Sequence, residues 1–162
     1  MLRNVLLPLL LVFAVMTAAS AGAETLRVPQ TGTASFTLDV PAGWTASYDD
    51  HGTLQLLAND NSAQVQLSII TVNAGMTAAE LALAIKPPEV TTPYGRPVAA
   101  KIGGLTGQEF TLTVGEGVEM SLVLVQLNDT TFAAQTALRR TASSPAQLAA
   151  LKALLGLIKL AK

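Results

Sequence analysis

The chain has 162 residues, a formal net charge of −1 at pH 7, one histidine and no cysteine. Without cysteine it cannot use thiol catalysis, thiolate metal ligation or disulfide bonds. Its nearly balanced charge provides no basic surface for nucleic acid or for an anionic membrane.

The N-terminus has the composition of a cleavable export signal. Arg3 precedes an apolar run over residues 5–16, and small residues follow up to Ala21-Gly22-Ala23. Small side chains at Ala21 and Ala23 fit a signal peptidase pocket. The apolar run is shorter than the roughly 20 residues of a membrane-spanning helix. We therefore expect residues 1–23 to be removed, leaving a periplasmic or secreted protein with no stable membrane insertion and, lacking cysteine, no lipid anchor.

The first part of the remaining chain has the patterns of short strands. Residues 24–32 predict a loose, extended N-terminal segment, and residues 33–162 a single domain. Alternating apolar and polar residues are typical of a strand with one buried face. On this basis strands are predicted at residues 34–40, 45–48, 53–57 and 63–72.

A short helix is predicted next, over residues 78–86. Thr77 and Glu80 have the spacing of a capping box, in which the Thr side chain caps the first amides and the Glu side chain reaches back. The helix should end at Pro87, because proline has no amide to donate and its ring clashes with the preceding turn. The expected buried stripe is Leu81, Ala82 and Ile85.

The second half of the chain predicts a long irregular loop, a strand meander and a final helix. The loop, residues 87–97, contains four prolines. Strands are predicted at residues 98–102, 105–114, 118–127 and 130–138, with glycine or Asn-Asp connections. Ser144 and Gln147 form a second capping box, beginning a helix that should run to about residue 161. Its expected core stripe is Leu148, Leu151, Leu155 and Ile158.

The order of these elements predicts an α+β fold. Strands predominate, so the sheet should be mostly antiparallel, with the two helices packed on its faces. The strand at residues 118–127 is apolar at successive positions, which is typical of a central strand covered on both sides.

Several stretches also occur in a recognisable order. FTLDVPAGW, at residues 36–44, is followed by a hairpin, a long strand and the short helix TAAELALAIK. A meander around IGGLTGQEFTLTV and a C-terminal helix complete the pattern. Over residues 33–160 the chain resembles PsbP-like domains, which include extrinsic photosystem II subunits and bacterial envelope proteins.

This resemblance implies a sheet sandwiched by helices in a small exported or organellar domain. It also implies a binding or assembly role, because PsbP-like domains mostly act as such modules. The chain departs from the lipoprotein members in lacking the anchoring cysteine. It has no residues that match the metal or partner sites of the photosynthetic members.

Two stretches are candidate binding sites. Asp49, Asp50 and His51 could supply oxygen and nitrogen ligands to a divalent metal ion, but the same residues are typical of a hairpin turn. Tyr94 and Arg96 lie in the proline-rich loop and have the composition of an interface anchor; Tyr94 could equally pack the loop onto the sheet. Trp44 is interpreted as a core residue rather than a ligand platform.

The motifs of catalysis are missing, so we predict a protein that is not an enzyme. Its single histidine would have to serve as the base of any hydrolase, and no serine lies in a nucleophile elbow. The leading hypothesis is a non-catalytic module that binds another envelope protein or complex, without a cofactor and without nucleic acid. The alternative is a periplasmic domain that binds a small ligand or a divalent metal through residues 49–51.

Overall fold

A computed structural model of the chain describes residues 25–33 and 35–162. The export signal predicted at residues 1–23, with Ala21 and Ala23, lies outside the described residues. The described part forms ten strands and two helices. In chain order they are β1 (Thr25–Val28), β2 (Phe36–Asp39), β3 (Trp44–Tyr48), β4 (Leu54–Ala58), β5 (Ala63–Thr71), α1 (Ala78–Ile85), β6 (Val98–Ile102), β7 (Leu105–Thr113), β8 (Val118–Asn128), β9 (Thr131–Arg140), α2 (Pro145–Gly156) and β10 (Lys159–Leu160).

The strands of the described residues form two antiparallel sheets. The large sheet has seven strands in the order β3-β4-β5-β9-β8-β7-β6, and the small sheet has three in the order β1-β2-β10. Every strand pair is antiparallel. The α+β fold and its antiparallel sheet are therefore confirmed, as are the predicted strands from β2 to β9.

The large sheet is covered on both faces, and β8 shows this most clearly. Val123 and Val125 belong to one core, whereas Leu122 and Leu124 belong to the other. Successive side chains of a strand point to opposite faces, so an interior strand with a core on each side must be apolar at every position. The prediction of a central strand covered on both faces is confirmed.

The larger core lies between the large sheet and a layer made of the small sheet and α2. Phe36 and Leu38 of β2 pack there with Leu154 of α2, all three almost fully buried. The layer extends to the end of the chain through Ile158. Elements from both ends of the described chain thus cover one face of the large sheet.

The smaller core lies on the opposite face, beneath α1. Leu81 and Ala82 of α1 pack on Leu124 and Phe132 of the large sheet. The predicted capping box is present: the Glu80 amide donates to the Thr77 Oγ1 at 3.2 Å, and the Thr77 amide donates to the Glu80 carboxylate at 2.8 Å.

The predicted apolar stripes of the helices are wrong in part. Ile85 of α1 and Leu148 of α2 are each 39% exposed, although both were expected in the core. Each helix buries only a narrow line of side chains, because α1 lies on the large sheet as a short helix and α2 shares its layer with the small sheet. In α2 the buried residues are Leu151 and Leu154.

Two predictions about the chain ends are also wrong. Thr25–Val28 forms β1 rather than a loose segment, because its main chain pairs with β2, from Thr25↔Asp39 to Val28↔Phe36. The last helix ends at Gly156 rather than near residue 161, because Lys159 and Leu160 pair with the other edge of β2. Both edges of β2 are thereby filled by short strands.

The two sheets approach each other closely at the β6–β7 turn. A Cβ atom on Gly103 would lie 2.8 Å from the Phe36 ring and 3.2 Å from the Leu160 amide nitrogen. Gly103 also has a φ of +58°, which L side chains rarely adopt. Glycine at position 103 therefore allows both the tight turn between β6 and β7 and the close contact between the two sheets. Neither helix of the described residues has the length and hydrophobicity of a membrane span.

Candidate functional site

The proline loop, residues 87–97, connects α1 to β6 at one edge of the large sheet. Most of its residues are exposed, and Tyr94 is a half-buried exception near its end. Proline fixes the backbone φ and removes an amide donor, so four prolines make the loop stiff without giving it secondary structure. The loop is thus an exposed segment with few conformations available to it.

Tyr94 fastens this loop to the smaller core. Its ring meets the Phe110 ring edge-on, with centroids 5.7 Å apart and planes at 65°. The Lys86 Nζ lies 5.9 Å from the centre of the same ring. Such aromatic pairs contribute about 0.5–1.5 kcal/mol beyond the burial of their area. The Tyr94 ring therefore packs the loop onto the sheet, and the interpretation of Tyr94 with Arg96 as an interface anchor stays a prediction.

The Tyr94 hydroxyl is buried and finds no hydrogen-bond partner among the described residues. Burial raises the pKa of this phenol above its ordinary value, because the charged form loses its hydration. Next to it, the Gly95 amide donates to the Thr111 carbonyl at 2.8 Å. One ring and one main-chain bond therefore hold the end of the loop against β7.

The exposed residues after Tyr94 form a continuous surface that runs into β6. Arg96 and Pro97 are exposed, and so are Val98 and Ala99 at the start of the strand. Val98 is one of the most exposed large apolar side chains of the described residues, at 54%. The sequence predicted a strand here, but its place at the sheet edge depends on the strand order, which local patterns do not reveal.

A shallow depression of about 240 Å³ is lined by residues of the loop, β7 and β8. Its lining is Thr92, Pro93, Gly95, Thr111, Leu112, Thr113 and Glu119. The Glu119 carboxylate accepts hydrogen bonds from the Arg139 guanidinium at 2.6 and 3.1 Å, so its charge is already paired. The remaining polar side chains of the lining are the hydroxyls of Thr92, Thr111 and Thr113, which can donate and accept hydrogen bonds.

Residues 49–51 form the tip of the β3–β4 hairpin. The Asp49 Oδ1 accepts hydrogen bonds from the amides of His51 and Thr53, both at 2.9 Å. Partial burial alone would raise the pKa of Asp49, but these backbone bonds outweigh it and hold the pKa below its ordinary value. Asp50 and His51 are both exposed on the turn.

This geometry is that of an Asx turn, as the turn interpretation predicts. No group of three or more His, Asp or Glu side chains within the described ranges is arranged to hold a metal ion. One oxygen of the Asp49 carboxylate, Oδ1, already accepts two backbone amides of the turn. The hypothesis of metal binding by Asp49, Asp50 and His51 stays a prediction.

The hairpin tip and the proline loop lie at opposite edges of the large sheet. The hairpin joins the edge strand β3 to β4, whereas the loop leads into the edge strand β6. Adjacent strands are about 4.8 Å apart, so the two surfaces are separated by roughly 25 Å. One small ligand cannot contact both, and they are separate candidate surfaces.

Trp44 lies in β3 and packs, half-buried, against the larger core. The interpretation of this residue as part of the core is therefore confirmed. Tyr48 of the same strand links the sheets: its hydroxyl donates to the Arg27 carbonyl at 2.7 Å and accepts from the Arg27 amide at 3.0 Å. The aromatic residues of β3 thus serve the packing of the two sheets.

Solved structures from three bacteria are similar in shape. The solution structure of cyanobacterial PsbP (CyanoP) from Synechocystis sp. PCC 6803 has a TM-score of 0.54 and 9% identity, over 91% of this chain and 98% of that one. A crystal structure from Bacteroides thetaiotaomicron has a TM-score of 0.50 and 12% identity, over 78% of this chain. The match takes in only 45% of the Bacteroides chain.

LpqN, a protein involved in cell envelope biogenesis of Mycobacterium tuberculosis, has a TM-score of 0.47 and 14% identity, over 78% of this chain and 83% of that one. No protein-family model and no curated protein sequence matches the chain. For the CyanoP structure, at 9% identity, the likeness is one of fold alone. The described residues have the PsbP-like α+β fold, as the resemblance of the sequence to PsbP-like domains predicted.

Proposed function

We propose that the protein is an exported, non-catalytic binding or assembly module of the cell envelope. It meets a partner protein through the exposed side of the proline loop, at Arg96 and its neighbours. The observation that carries this proposal is the way the loop is held: Tyr94 packs inward while the residues around it are exposed. A surface that is ordered before binding loses little conformational entropy when a partner docks.

The proposal of a non-catalytic role rests on the surroundings of the single histidine. A hydrolase built on His51 would need the imidazole between a nucleophile and an orienting carboxylate. The neighbouring Asp49 instead accepts two backbone amides of its own turn. The PsbP-like fold supports the same role, since the resemblance implies a binding or assembly module.

The test is affinity capture from the cell envelope fraction of the source organism, with tagged protein as bait and mild cross-linking. The informative variant is Arg96→Glu, because Arg96 is exposed and its change should leave the fold intact. Lys152→Glu is the matched control: it makes the same change of charge at an exposed site of α2. A partner retained by the wild type and by Lys152→Glu, but lost with Arg96→Glu, supports the proposal. Equal capture by all three proteins would contradict it.

Tyr94→Ala does not isolate the partner surface. The substitution removes a packed ring from the smaller core, so lost binding could follow from a loosened loop. Tyr94 acts in this proposal by positioning the loop, and the exposed side chains beside it make the contact. Substitutions of Tyr94 are therefore tested by measuring the free energy of unfolding.

Export is tested separately, by intact-mass measurement of the protein recovered from the envelope fraction. The proposal expects a chain that begins at Glu24, the first residue after the predicted cleavage site. Recovery of the uncleaved chain from the cytoplasm would overturn the envelope assignment while leaving the binding role to be judged by capture.

A further inference from the structure

The outer edge of β6 is a free sheet edge in the described part of the chain. The strand order of the large sheet ends at β6, so no described strand pairs with its far side. Val98, Ala99 and Lys101 are exposed, and Ala100 is half-buried. An edge strand presents a row of main-chain donors and acceptors that can pair with another chain.

The hydrogen bonds of β7 show which main-chain groups of β6 face outward. The Thr111 carbonyl accepts the Gly95 amide, so it points away from β8, toward the loop. Main-chain direction alternates along a strand, so Glu109 points the same way, and Glu109 is the register partner of Val98. The main-chain groups of Val98 are therefore used within the sheet.

The main-chain groups of Ala99, which follows Val98, and of Lys101 point in the opposite direction. The amides and carbonyls of Ala99 and Lys101 point to the free edge, where they can bond to an added strand. The side chains of Ala99 and Ala100 are small and would let another backbone approach closely. Pro97, just before the strand, limits the pairing to the few residues that follow it.

The charges around this edge indicate what kind of strand it would accept. Residues 86–102 contain Lys86, Arg96 and Lys101 against a single acid, Glu89, whereas the whole chain has a net charge of −1. Two copies of β6 paired antiparallel about Ala99 would bring Lys101 of one copy near the Arg96 end of the other. Like charges across a strand pair are unfavourable, so the edge suits an acidic segment better than a second copy.

We propose that β6 binds an extended acidic segment of a partner polypeptide, which adds to the large sheet as a further antiparallel or parallel strand. This inference rests on the proposed function and specifies how the partner docks beside the proline loop. Main-chain bonds from Ala99 and Lys101 hold the segment, and Arg96 and Lys101 favour its acidic side chains.

The test uses the purified protein with a synthetic peptide of alternating threonine and glutamate as the probe. Amide hydrogen exchange is followed by NMR, residue by residue. The peptide is expected to slow the exchange of the Ala99 and Lys101 amides by about tenfold or more, because both become hydrogen-bonded. Two control peptides are run beside it: one with lysine in place of glutamate, and one methylated on the backbone nitrogens of one edge. Both should give less protection.

Two variants check the same contact. Ala99→Pro removes an outward amide and is tolerated at an edge, so it should abolish the peptide effect while the melting temperature changes little. Lys101→Glu reverses an exposed charge and should weaken binding even if the proline variant folds poorly. Protection elsewhere in the protein, with Ala99 and Lys101 unchanged, would overturn the inference. So would the absence of any peptide effect, or equal protection by the lysine peptide.

Failure of this inference can be distinguished from failure of the proposed function. If the envelope partner is lost with Arg96→Glu but is retained by folded Ala99→Pro, the binding module stands and strand addition is wrong. If no partner depends on Arg96, the proposed function fails. The exchange experiment still reports on the edge of β6 in that case, because it uses a defined peptide.

Discussion

The two faces of the large sheet differ in how they are covered. One face carries the larger core, closed by the small sheet and α2, with Phe36, Leu38 and Leu154 almost fully buried. The other carries the smaller core beneath α1, with the ring of Tyr94 packed beside it. The first face is assembled from both ends of the described chain, whereas the second is covered by one segment of its middle.

The residue patterns of the strands show the same difference between the two faces. In β4 and the first half of β5, buried apolar residues alternate with half-buried residues that are mostly polar. Of these, Gln55 and Gln66 are register partners on the face that bears α1. In β8 both faces are apolar. The α1 face is therefore apolar near α1 and mostly polar toward β3, where Leu57 is an exception. The proline loop is anchored where the smaller core ends, so the exposed candidate surface adjoins the less covered face.

The largest expected effect comes from breaking the larger core. Phe36→Ala should lower the free energy of unfolding by about 3–5 kcal/mol, through lost burial and the cavity left behind. Phe36 is fully buried and lies against the β6–β7 turn at Gly103, so neighbours on both sides lose contacts. Urea denaturation of the two proteins measures the difference. A loss below about 1 kcal/mol would mean that the small sheet contributes little to this face.

The smaller core should respond less to the same kind of change. Leu81→Ala is expected to cost about 2–3 kcal/mol, the lower part of the range for buried leucine, because a single short helix can settle into the space. Leu83→Ala, on the same helix but 67% exposed, is the control and should change stability by less than about 0.5 kcal/mol. If Leu81→Ala lowers the free energy of unfolding as much as Phe36→Ala does, the two faces of the large sheet contribute equally to stability.

Tyr94→Phe tests how the loop is attached to the smaller core. Removing a buried hydroxyl without a partner among the described residues should raise the free energy of unfolding by about 1 kcal/mol. Tyr48→Phe is the matched control and should lower it by about 1 kcal/mol, because this hydroxyl bonds twice to the Arg27 backbone. Thermal or urea unfolding gives both values. A loss of stability in Tyr94→Phe would show that the hydroxyl has a partner.

The elements that the sequence predicts correctly are those defined by neighbouring residues. Thr77 with Glu80 and Ser144 with Gln147 each form the expected capping box, because a box needs only four consecutive residues. The alternation in β4 and β5 is likewise local. The short strands β1 and β10 have no such local signal. Their two to four residues pair because both edges of β2 are available, which is a property of the folded sheet.

The features of the candidate site also fall into those that the local sequence predicts and those that it does not. The hairpin tip at Asp49 and the irregular proline loop follow from turn residues and prolines that are visible in the sequence. Their separation across the large sheet depends on the strand order, in which β9 and β8 lie between β5 and β7. The inward packing of Tyr94 depends on Phe110, which is distant in the chain. Nonlocal pairing therefore decides which residues can act together.

The smallest expected effect concerns the attachment of α2, the helix of the larger core. Hydrogen bonds from the side chains of Ser62 and Gln147 lower the pKa of Asp60 from 3.8 to about 2. The Gln147 Nε2 donates to the Asp60 Oδ2 at 3.0 Å, which ties the capping box of α2 to the β4–β5 turn. In α1 the equivalent Glu80 bonds only within its own cap, to Thr77, in the described contacts.

Because the pKa of Asp60 is lower in the folded state than in the unfolded state, its contribution to stability is present above about pH 4 and is lost as the pH falls toward 2. Asp60→Asn should remove this part of the pH dependence, and Gln147→Ala should reduce it. Urea unfolding at several pH values between 5 and 2 measures the slopes. If wild type and Asp60→Asn lose stability in parallel over this range, the carboxylate does not fasten α2. The larger core would then hold its helix by apolar contact alone, as the smaller core holds α1.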